Sequence, residues 1–260
     1  MGGGGFGSGR DEALDDYVLS LARTARPRIC LLPTASGDPE DQIRRFYLAF
    51  ARRECVPSHL SLFRLGQHPV PIAEHLLSQD VIYVGGGSML NLLAIWRAHE
   101  LDGVLRRAWE SGVVLCGISA GSMCWFEAGI TKSHGPPRPA AGLGFLPGSN
   151  CVHYDGEPER RPAYLAAIED GMPAGYGVDD GVGLLFEGTQ LAEVVTARRG
   201  AGARRVRVEG SRGAEVGLDT RLLRARVTPG EPLSISEFRE ARARRPGSRR
   251  LGGPRAGLGD

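Results

Sequence analysis

Short apolar runs and stretches of helically spaced apolar residues alternate along the first half of the chain. The runs at residues 28–33, 80–84 and 113–116 have the length and β-branched content of buried strands. Between the runs, apolar residues recur every three or four positions, as in residues 11–23, which predicts amphipathic helices. Strands and helices that alternate with short links predict an α/β fold with a doubly wound, mainly parallel sheet flanked by helices.

The later half has a different pattern. A stretch rich in Gly and Pro at residues 129–147 is expected to be a long loop, and residues 160–169 are expected to form a helix. Predicted strands at 176–186, 191–196, 204–209 and 215–218 follow closely, so this part should be more hairpin-like. We expect one domain over residues 1–238 and a basic, disordered tail over 239–260, where the composition is dominated by Arg, Gly, Pro and Ala.

The third apolar run leads directly into Gly117-Ile118-Ser119-Ala120-Gly121. A G-x-S-x-G sequence between a strand and a predicted helix at 122–127 is typical of a nucleophile elbow, in which a strained turn exposes the serine hydroxyl. The glycines are needed because the strand and the helix close around the turn. An ordinary tight turn whose serine caps the helix is the alternative.

Two further glycine-rich stretches belong to the same part of the molecule. Gly85-Gly86-Gly87 follows the strand at 80–84, and ligands of doubly wound sheets bind beyond the carboxyl ends of the strands. The sequence therefore places this loop on the same edge as Ser119. The glycines of residues 2–5 form either a flexible tail or a ligand-facing loop whose preceding strand is missing from this chain.

A serine nucleophile needs an imidazole to take its proton. Of the six histidines, only His134 and His153 follow the elbow, and His153 comes directly after an apolar segment that could hold it in place. We therefore predict that His153 is the general base. The other four are expected to lie away from this edge: His59, His68, His75 and His99.

Composition excludes several classes of protein. The 260 residues are 42% hydrophobic with a net charge of +2, no apolar run is long enough to cross a membrane, and no signal peptide is evident. Five scattered cysteines without a C-x-x-C pair argue against zinc and disulfides and indicate a cytoplasmic protein. The basic tail almost lacks aromatic residues, so neither nucleic acid nor membrane is an expected partner. We expect no metal or organic cofactor.

Three motifs in this order resemble the peptidase E (aspartyl dipeptidase) family of serine peptidases: Gly85-Gly86-Gly87, the sequence around Ser119, and Ser149-Asn150-Cys151-Val152-His153-Tyr154. The resemblance covers roughly residues 1–223. It implies a class I glutamine amidotransferase-like fold, with Ser119 as nucleophile and His153 as general base. It also implies an oxyanion hole formed by the loop of Gly86 and Gly87 with the N–H of Ala120.

The third member of the triad departs from the family. Where relatives carry an Asp after the elbow, this chain has Lys132, and an ammonium cannot accept a hydrogen bond from an imidazole N–H. We predict instead that Glu127, the acid nearest Ser119 in sequence, orients His153. Asp155 and Glu157 are the rival candidates.

The family resemblance also implies a preference for aspartate before the scissile bond, held by an arginine. Arg160 and Arg161 follow His153 at a distance similar to the family's arginine. We expect a serine peptidase that cleaves small peptides through an acyl-enzyme, with formation of a homodimer left open. The alternatives are a cyanophycinase-like hydrolase and a catalytically silent amidotransferase-like domain that binds a ligand.

Overall fold

The computed structural model describes residues 1–7, 9 and 11–224; the predicted tail at 239–260 and the predicted domain limit at 238 lie outside these residues. Within them the chain forms seven α-helices: α1 (Glu12–Ser20), α2 (Glu40–Phe50), α3 (Ile72–Leu77), α4 (Met89–Ala98), α5 (Leu101–Glu110), α6 (Ala120–Met123) and α7 (Arg160–Glu169). It also forms thirteen strands: β1 (Arg28–Leu32), β2 (Val56–His59), β3 (Val81–Val84), β4 (Val114–Gly117), β5 (Phe126–Thr131), β6 (Arg138–Ala141), β7 (Leu146–Val152), β8 (Gly175–Val178), β9 (Val182–Glu187), β10 (Gln190–Thr196), β11 (Ala203–Glu209), β12 (Arg212–Gly217) and β13 (Arg221–Leu222).

Strands β1 to β4 form a parallel sheet in the order β2-β1-β3-β4. Successive residues of β1 and β3 point to opposite faces, so each strand contributes to two cores. On one face Ile82 and its neighbours pack with Leu92 and Trp96 of α4; on the other, Tyr83 packs with Phe46 of α2. Both faces are covered by helices, which confirms the expected mainly parallel, helix-flanked architecture.

The helix after the elbow is much shorter than the sequence pattern predicts. It ends at Met123, and the chain enters strand β5 at Phe126. Backbone hydrogen bonds from Leu143 to Cys124 and from Leu146 to Trp125 hold this segment in an extended path. The sequence pattern at 123–126 predicts one face of a helix, whereas the structure shows the entry into a strand. A short apolar run does not distinguish a buried helix from a buried strand.

Strands from the later half form a six-stranded sheet in the order β12-β11-β8-β7-β5-β6 and a three-stranded sheet in the order β13-β10-β9. The pairs β9/β10 and β11/β12 are antiparallel hairpins, as the hairpin-like pattern predicted. The predicted loop at 129–147 contains the end of β5 and the whole of β6. Strands β7 and β8 are parallel neighbours, so their carboxyl ends lie at one edge.

The five cysteines form no disulfide, and all are buried except Cys116, which is half-buried. No helix within the described ranges is both long and apolar enough to cross a membrane.

Candidate active site

Ser119 lies in the turn between β4 and α6 with backbone angles φ 54° and ψ −117°. A positive φ is unusual for a residue with a side chain and is found where the surrounding structure enforces it. The two flanking glycines explain how the turn closes: a Cβ on Gly117 would overlap the carbonyl oxygen of Gly121, and one on Gly121 would overlap that of Val84. Ser119 therefore lies in a tight strand–helix turn with a positive φ, which is the backbone geometry that a nucleophile elbow requires.

His153 follows β7 and faces the serine. Its Nε2 lies 2.9 Å from Oγ of Ser119, and its own backbone φ is 54°. The structure thus brings together the two residues that the sequence singled out as nucleophile and base, and holds both in a strained backbone conformation.

The other ring nitrogen of His153 contacts an acid that the sequence analysis did not consider. Nδ1 lies 2.7 Å from Oδ1 of Asp180. A carboxylate only accepts hydrogen bonds, so Nδ1 carries the proton and Nε2 is left to accept from the Ser119 hydroxyl. The hydrogen bond from His153 is the main reason that the pKa of Asp180 is lowered, and Arg198 and Arg160 add to the effect.

The expectation that Glu127 orients His153 is wrong for this structure. It assumed that Glu127 lies two helical turns beyond Ser119, but Glu127 belongs to strand β5. Its Oε2 accepts a hydrogen bond from the backbone N–H of Gly148 at 2.7 Å. Glu127 therefore tethers the start of β7 and takes no part in the contact with His153.

The two rival acids also lie elsewhere. Oδ1 of Asp155 accepts a hydrogen bond from the backbone N–H of Asp180 at 2.9 Å, so Asp155 supports the acid rather than the imidazole. Glu157 forms ion pairs with Lys132 at 3.1 Å and with Arg160 at 3.0 Å. Lys132, the residue at the position where the family resemblance led us to expect the triad acid, forms ion pairs with Glu157 and Glu159.

The predicted oxyanion loop lies beside the serine. A Cβ on Gly86 would sit 3.2 Å from Cβ of Ser119. Gly87 has φ +144°, and a side chain there would overlap the carbonyl oxygen of Ala35. Ser36 donates its hydroxyl to the carbonyl of Gly86. In a trans peptide the next N–H points the opposite way, so this bond directs the N–H of Gly87 away from Ser36.

The glycines of residues 2–5 form a loop that lies against His153 and Asp180. Gly2 donates its N–H to Val182 at 2.9 Å, and Gly3 accepts one from Gly181 at 3.0 Å. A Cβ on Gly3 would overlap Oδ1 of Asp180 and lie 2.9 Å from Cε1 of His153. Of the two sequence-based alternatives for this stretch, the structure shows the ordered loop at the site.

Arg160 and Arg161 are already engaged. The Arg160 side chain is buried, where it pairs with Glu157 and donates to the carbonyl oxygen of Ile130 at 2.5 Å. Arg161 is exposed and pairs with Glu215 through both carboxylate oxygens. The predicted clamp for a substrate carboxylate is therefore not formed by these guanidinium groups in this structure.

Asp180 was missed because it follows β8, 27 residues after His153. The available signal was a pair of consecutive acids, Asp179 and Asp180, directly after the strand that lies beside β7.

Among the described residues, no group of three or more His, Cys, Asp or Glu side chains is placed to hold a metal ion.

Three comparisons with known proteins show what this chain is similar to. The model of "Peptidase family S51" matches residues 1–194. The uncharacterised peptidase YgaJ of Bacillus subtilis (strain 168) is 49% identical over 225 residues, which cover 86% of this chain and 97% of that protein.

Two solved structures share the fold. The crystal structure of a peptidase from an acI-B1 Actinobacterium superposes with a TM-score of 0.60 at 18% identity, over 85% of this chain and 92% of that one. A Listeria monocytogenes EGD-e structure named for peptidase E gives a TM-score of 0.50 at 16% identity, over 78% and 93%. These two likenesses concern the fold alone, whereas the family model matches residues 1–194 and the Bacillus relative is identical at 49% of the 225 aligned residues. The chain is a peptidase that belongs to peptidase family S51.

Proposed function

We propose that this protein is a serine peptidase that cleaves small peptides through an acyl-enzyme on Ser119. The observation that supports this most directly is the continuous chain of contacts from Oγ of Ser119 through His153 to Asp180, at 2.9 and 2.7 Å. A hydroxyl is a weak nucleophile until a positioned base takes its proton.

The proton path follows from the tautomer. As Oγ of Ser119 attacks the substrate carbonyl carbon, Nε2 of His153 takes the hydroxyl proton. The imidazolium then gives that proton to the leaving amine as the C–N bond breaks, and the acyl group remains on Ser119. Water attacks the ester in the second half of the reaction, with His153 again acting as base. Asp180 stabilises the imidazolium and keeps the ring in the productive orientation.

The negative oxygen of the tetrahedral intermediate needs nearby donors. The N–H groups of Gly86, Gly87 and Ala120 donate no hydrogen bond to any described residue. We assign the oxyanion hole to Ala120 together with the loop of Gly86 and Gly87, because these residues adjoin Ser119 and the Ser36 contact fixes the loop.

The catalytically silent alternative rested on the replacement of the family's acid by Lys132. Asp180 supplies an acceptor at the required nitrogen of His153, which favours an active enzyme. A preference for aspartate is not part of the proposal, since Arg160 and Arg161 are both bound to internal carboxylates.

The proposal is tested by labelling with a fluorophosphonate and by hydrolysis of a dipeptide panel that includes aspartate-containing substrates. The wild-type protein should be labelled and should hydrolyse at least one peptide. Ser119→Ala should abolish labelling and reduce turnover by about 10³-fold or more. Turnover near the wild-type level in Ser119→Ala would refute the assignment, and hydrolysis of cyanophycin-type polymers alone would favour the cyanophycinase-like alternative.

A further inference from the structure

The Arg198 side chain, in the segment that follows β10, crosses the backbone directly after Asp180. A Cβ on Gly181 would lie 2.7 to 2.8 Å from Cγ, Cδ and Nε of Arg198. Gly181 also has φ +78°, so a side chain there would strain the backbone as well as displace the arginine. Arg198 is therefore packed against the residue next to the acid that contacts His153.

The guanidinium of Arg198 is fixed by Asp11, which lies at the start of α1. Nε and Nη2 of Arg198 donate to the two carboxylate oxygens of Asp11, each at 2.8 Å. Asp11 is the N-cap residue of α1, but its side chain makes no capping hydrogen bond, and it is 1% exposed. Paired hydrogen bonds between a guanidinium and a carboxylate set the orientation of both groups, so the Arg198 side chain is held in one position.

The Asp11–Arg198 pair also borders the loop of residues 2–5. A Cβ on Gly4 would lie 2.5 Å from Oδ2 of Asp11, and the N–H of Gly181 donates to the carbonyl oxygen of Gly3 at 3.0 Å. Gly3 in turn lies against His153 and Asp180. One ion pair thus contacts both backbone segments, the loop and residue 181, that border the imidazole and its acid.

The charges around His153 and Asp180 come from several elements. Besides the hydrogen bond from His153, the charges of Arg198 and Arg160 lower the pKa of Asp180. Asp155 accepts from the backbone N–H of Asp180.

Both cations are compensated. Arg160 is paired with Glu157, which also binds Lys132, and Arg198 is paired with Asp11. Removing one member of the Asp11–Arg198 pair therefore changes the net charge beside the imidazole by one unit.

We propose that Arg198 is a positioning residue for the contact between His153 and Asp180. Its side chain restrains residue 181 and the loop of residues 2–5, and its positive charge favours the ionised acid and the neutral imidazole. His153 can then accept the Ser119 proton at a lower pH than it could without this charge. The kinetic consequence rests on the proposed function, whereas the restraint of the backbone does not.

The charge is tested by the pH dependence of kcat/KM, whose acid limb reports the loss of the proton from the free enzyme's base. Arg198→Met should move this limb to higher pH by about 0.3–1 unit, since a cation that opposes the imidazolium is lost. Asp11→Asn should move it to lower pH by a similar amount, because Arg198 is then uncompensated. The double variant should return close to the wild-type position. A purely structural defect does not produce opposite displacements, so displacement in the same direction, or none, would overturn the role of the charge.

The matched control is the pair of Arg204 with Asp179, the residue on the other side of Asp180. Nη1 of Arg204 lies 2.9 Å from Oδ1 of Asp179, and the two side chains are 34% and 4% exposed, against 38% and 1% for Arg198 and Asp11. Arg204→Met should leave the acid limb at its wild-type position. An equal displacement in Arg204→Met would show that the effect is not specific to Arg198 and would overturn the proposal.

The restraint is tested by hydrogen exchange, which requires no turnover. The Gly181 amide should exchange at least tenfold faster in Arg198→Met and at the wild-type rate in Arg204→Met. Unchanged exchange in Arg198→Met would overturn the restraint. Loss of labelling in Ser119→Ala, with acid limbs that do not move in Arg198→Met and Asp11→Asn, would support the proposed function and refute the role of the Arg198 charge. Full turnover in Ser119→Ala would refute the proposed function, and exchange at Gly181 would still decide the restraint.

Discussion

Asp180 accepts a hydrogen bond from Nδ1 of His153 at 2.7 Å, although 27 residues separate the two along the chain. The contact arises because β7 and β8 are parallel neighbours, with Val152 paired to Val178. His153 and Asp180 lie one and two residues beyond that pair. The topology of the sheet, rather than proximity in sequence, therefore selects the acid.

Replacing this acid should be far more damaging than replacing the acid nearest the serine. We expect Asp180→Asn to reduce kcat by about 10⁴-fold, because the ring can then adopt the wrong tautomer and the imidazolium loses its counter-charge. Glu127→Gln should stay within a few-fold of wild type. The measurement is steady-state hydrolysis of the best peptide of the panel, with circular dichroism to verify the fold. The reverse order of effects would show that Glu127 is the acid after all.

The sequence predicted the local parts of this site well and the long-range part poorly. The turn around Ser119 is specified within five residues, since only small flanking residues let the strand and helix close. His153 could be identified because few histidines follow the elbow. Asp180 could not, because its position depends on the crossover through α7 and on the pairing of β7 with β8. Glu127 was chosen because the segment after Met123 was predicted to be helical, and that prediction was wrong.

The absence of a side chain at Gly3 should be required for full activity, because Gly3 lies against the imidazole of His153 and the carboxylate of Asp180. In Gly3→Ala the added methyl group would overlap Asp180 and press on His153, so we expect kcat to fall by about 10- to 100-fold, with a smaller change in KM. Gly66→Ala is the matched control, because a Cβ at Gly66 meets no atom within 4 Å. Wild-type kcat in Gly3→Ala would mean that the loop of residues 2–5 does not restrain the histidine.

Asp15 should make the stability of the protein depend on pH. Its carboxyl is buried, with Oδ2 lacking a partner among the described residues, and burial raises its pKa to about 7 against the opposing influence of Arg53. The folded protein therefore holds a proton between about pH 4 and 7 that the unfolded chain releases, so this group makes stability fall as pH rises through that window.

Asp15→Asn should remove this contribution. We expect the variant to gain on the order of 2–4 kcal/mol relative to wild type on going from pH 4 to pH 8, measured by urea unfolding. Asp170→Asn, at an exposed position, serves as the control and should show no such trend. A constant difference between Asp15→Asn and wild type across this range would contradict the burial argument.

The two arginines after Glu159 should affect stability and not specificity. Arg160→Met removes the donor to the buried carbonyl oxygen of Ile130 and leaves Glu157 with Lys132 as its remaining partner, so it should cost about 1–3 kcal/mol. Arg161→Met breaks an exposed ion pair and should cost less than about 1 kcal/mol. The ratio of kcat/KM for aspartyl and alanyl dipeptides should change less than about threefold in either variant. A selective loss of the aspartyl activity in one of them would identify that arginine as a substrate contact.

The positive φ angles of Ser119 and His153 have a consequence for the evolution of such proteins. Each conformation costs roughly 1–3 kcal/mol in a residue with a side chain, and glycine avoids most of that cost. A population selected for heat resistance alone should therefore accumulate glycine at positions 119 and 153, the two positions to which the proposed mechanism assigns the nucleophile and the base. Descendants that have lost the reaction would then melt at higher temperatures than their active ancestors, and hydrolytic activity would be kept only as long as selection acts on it.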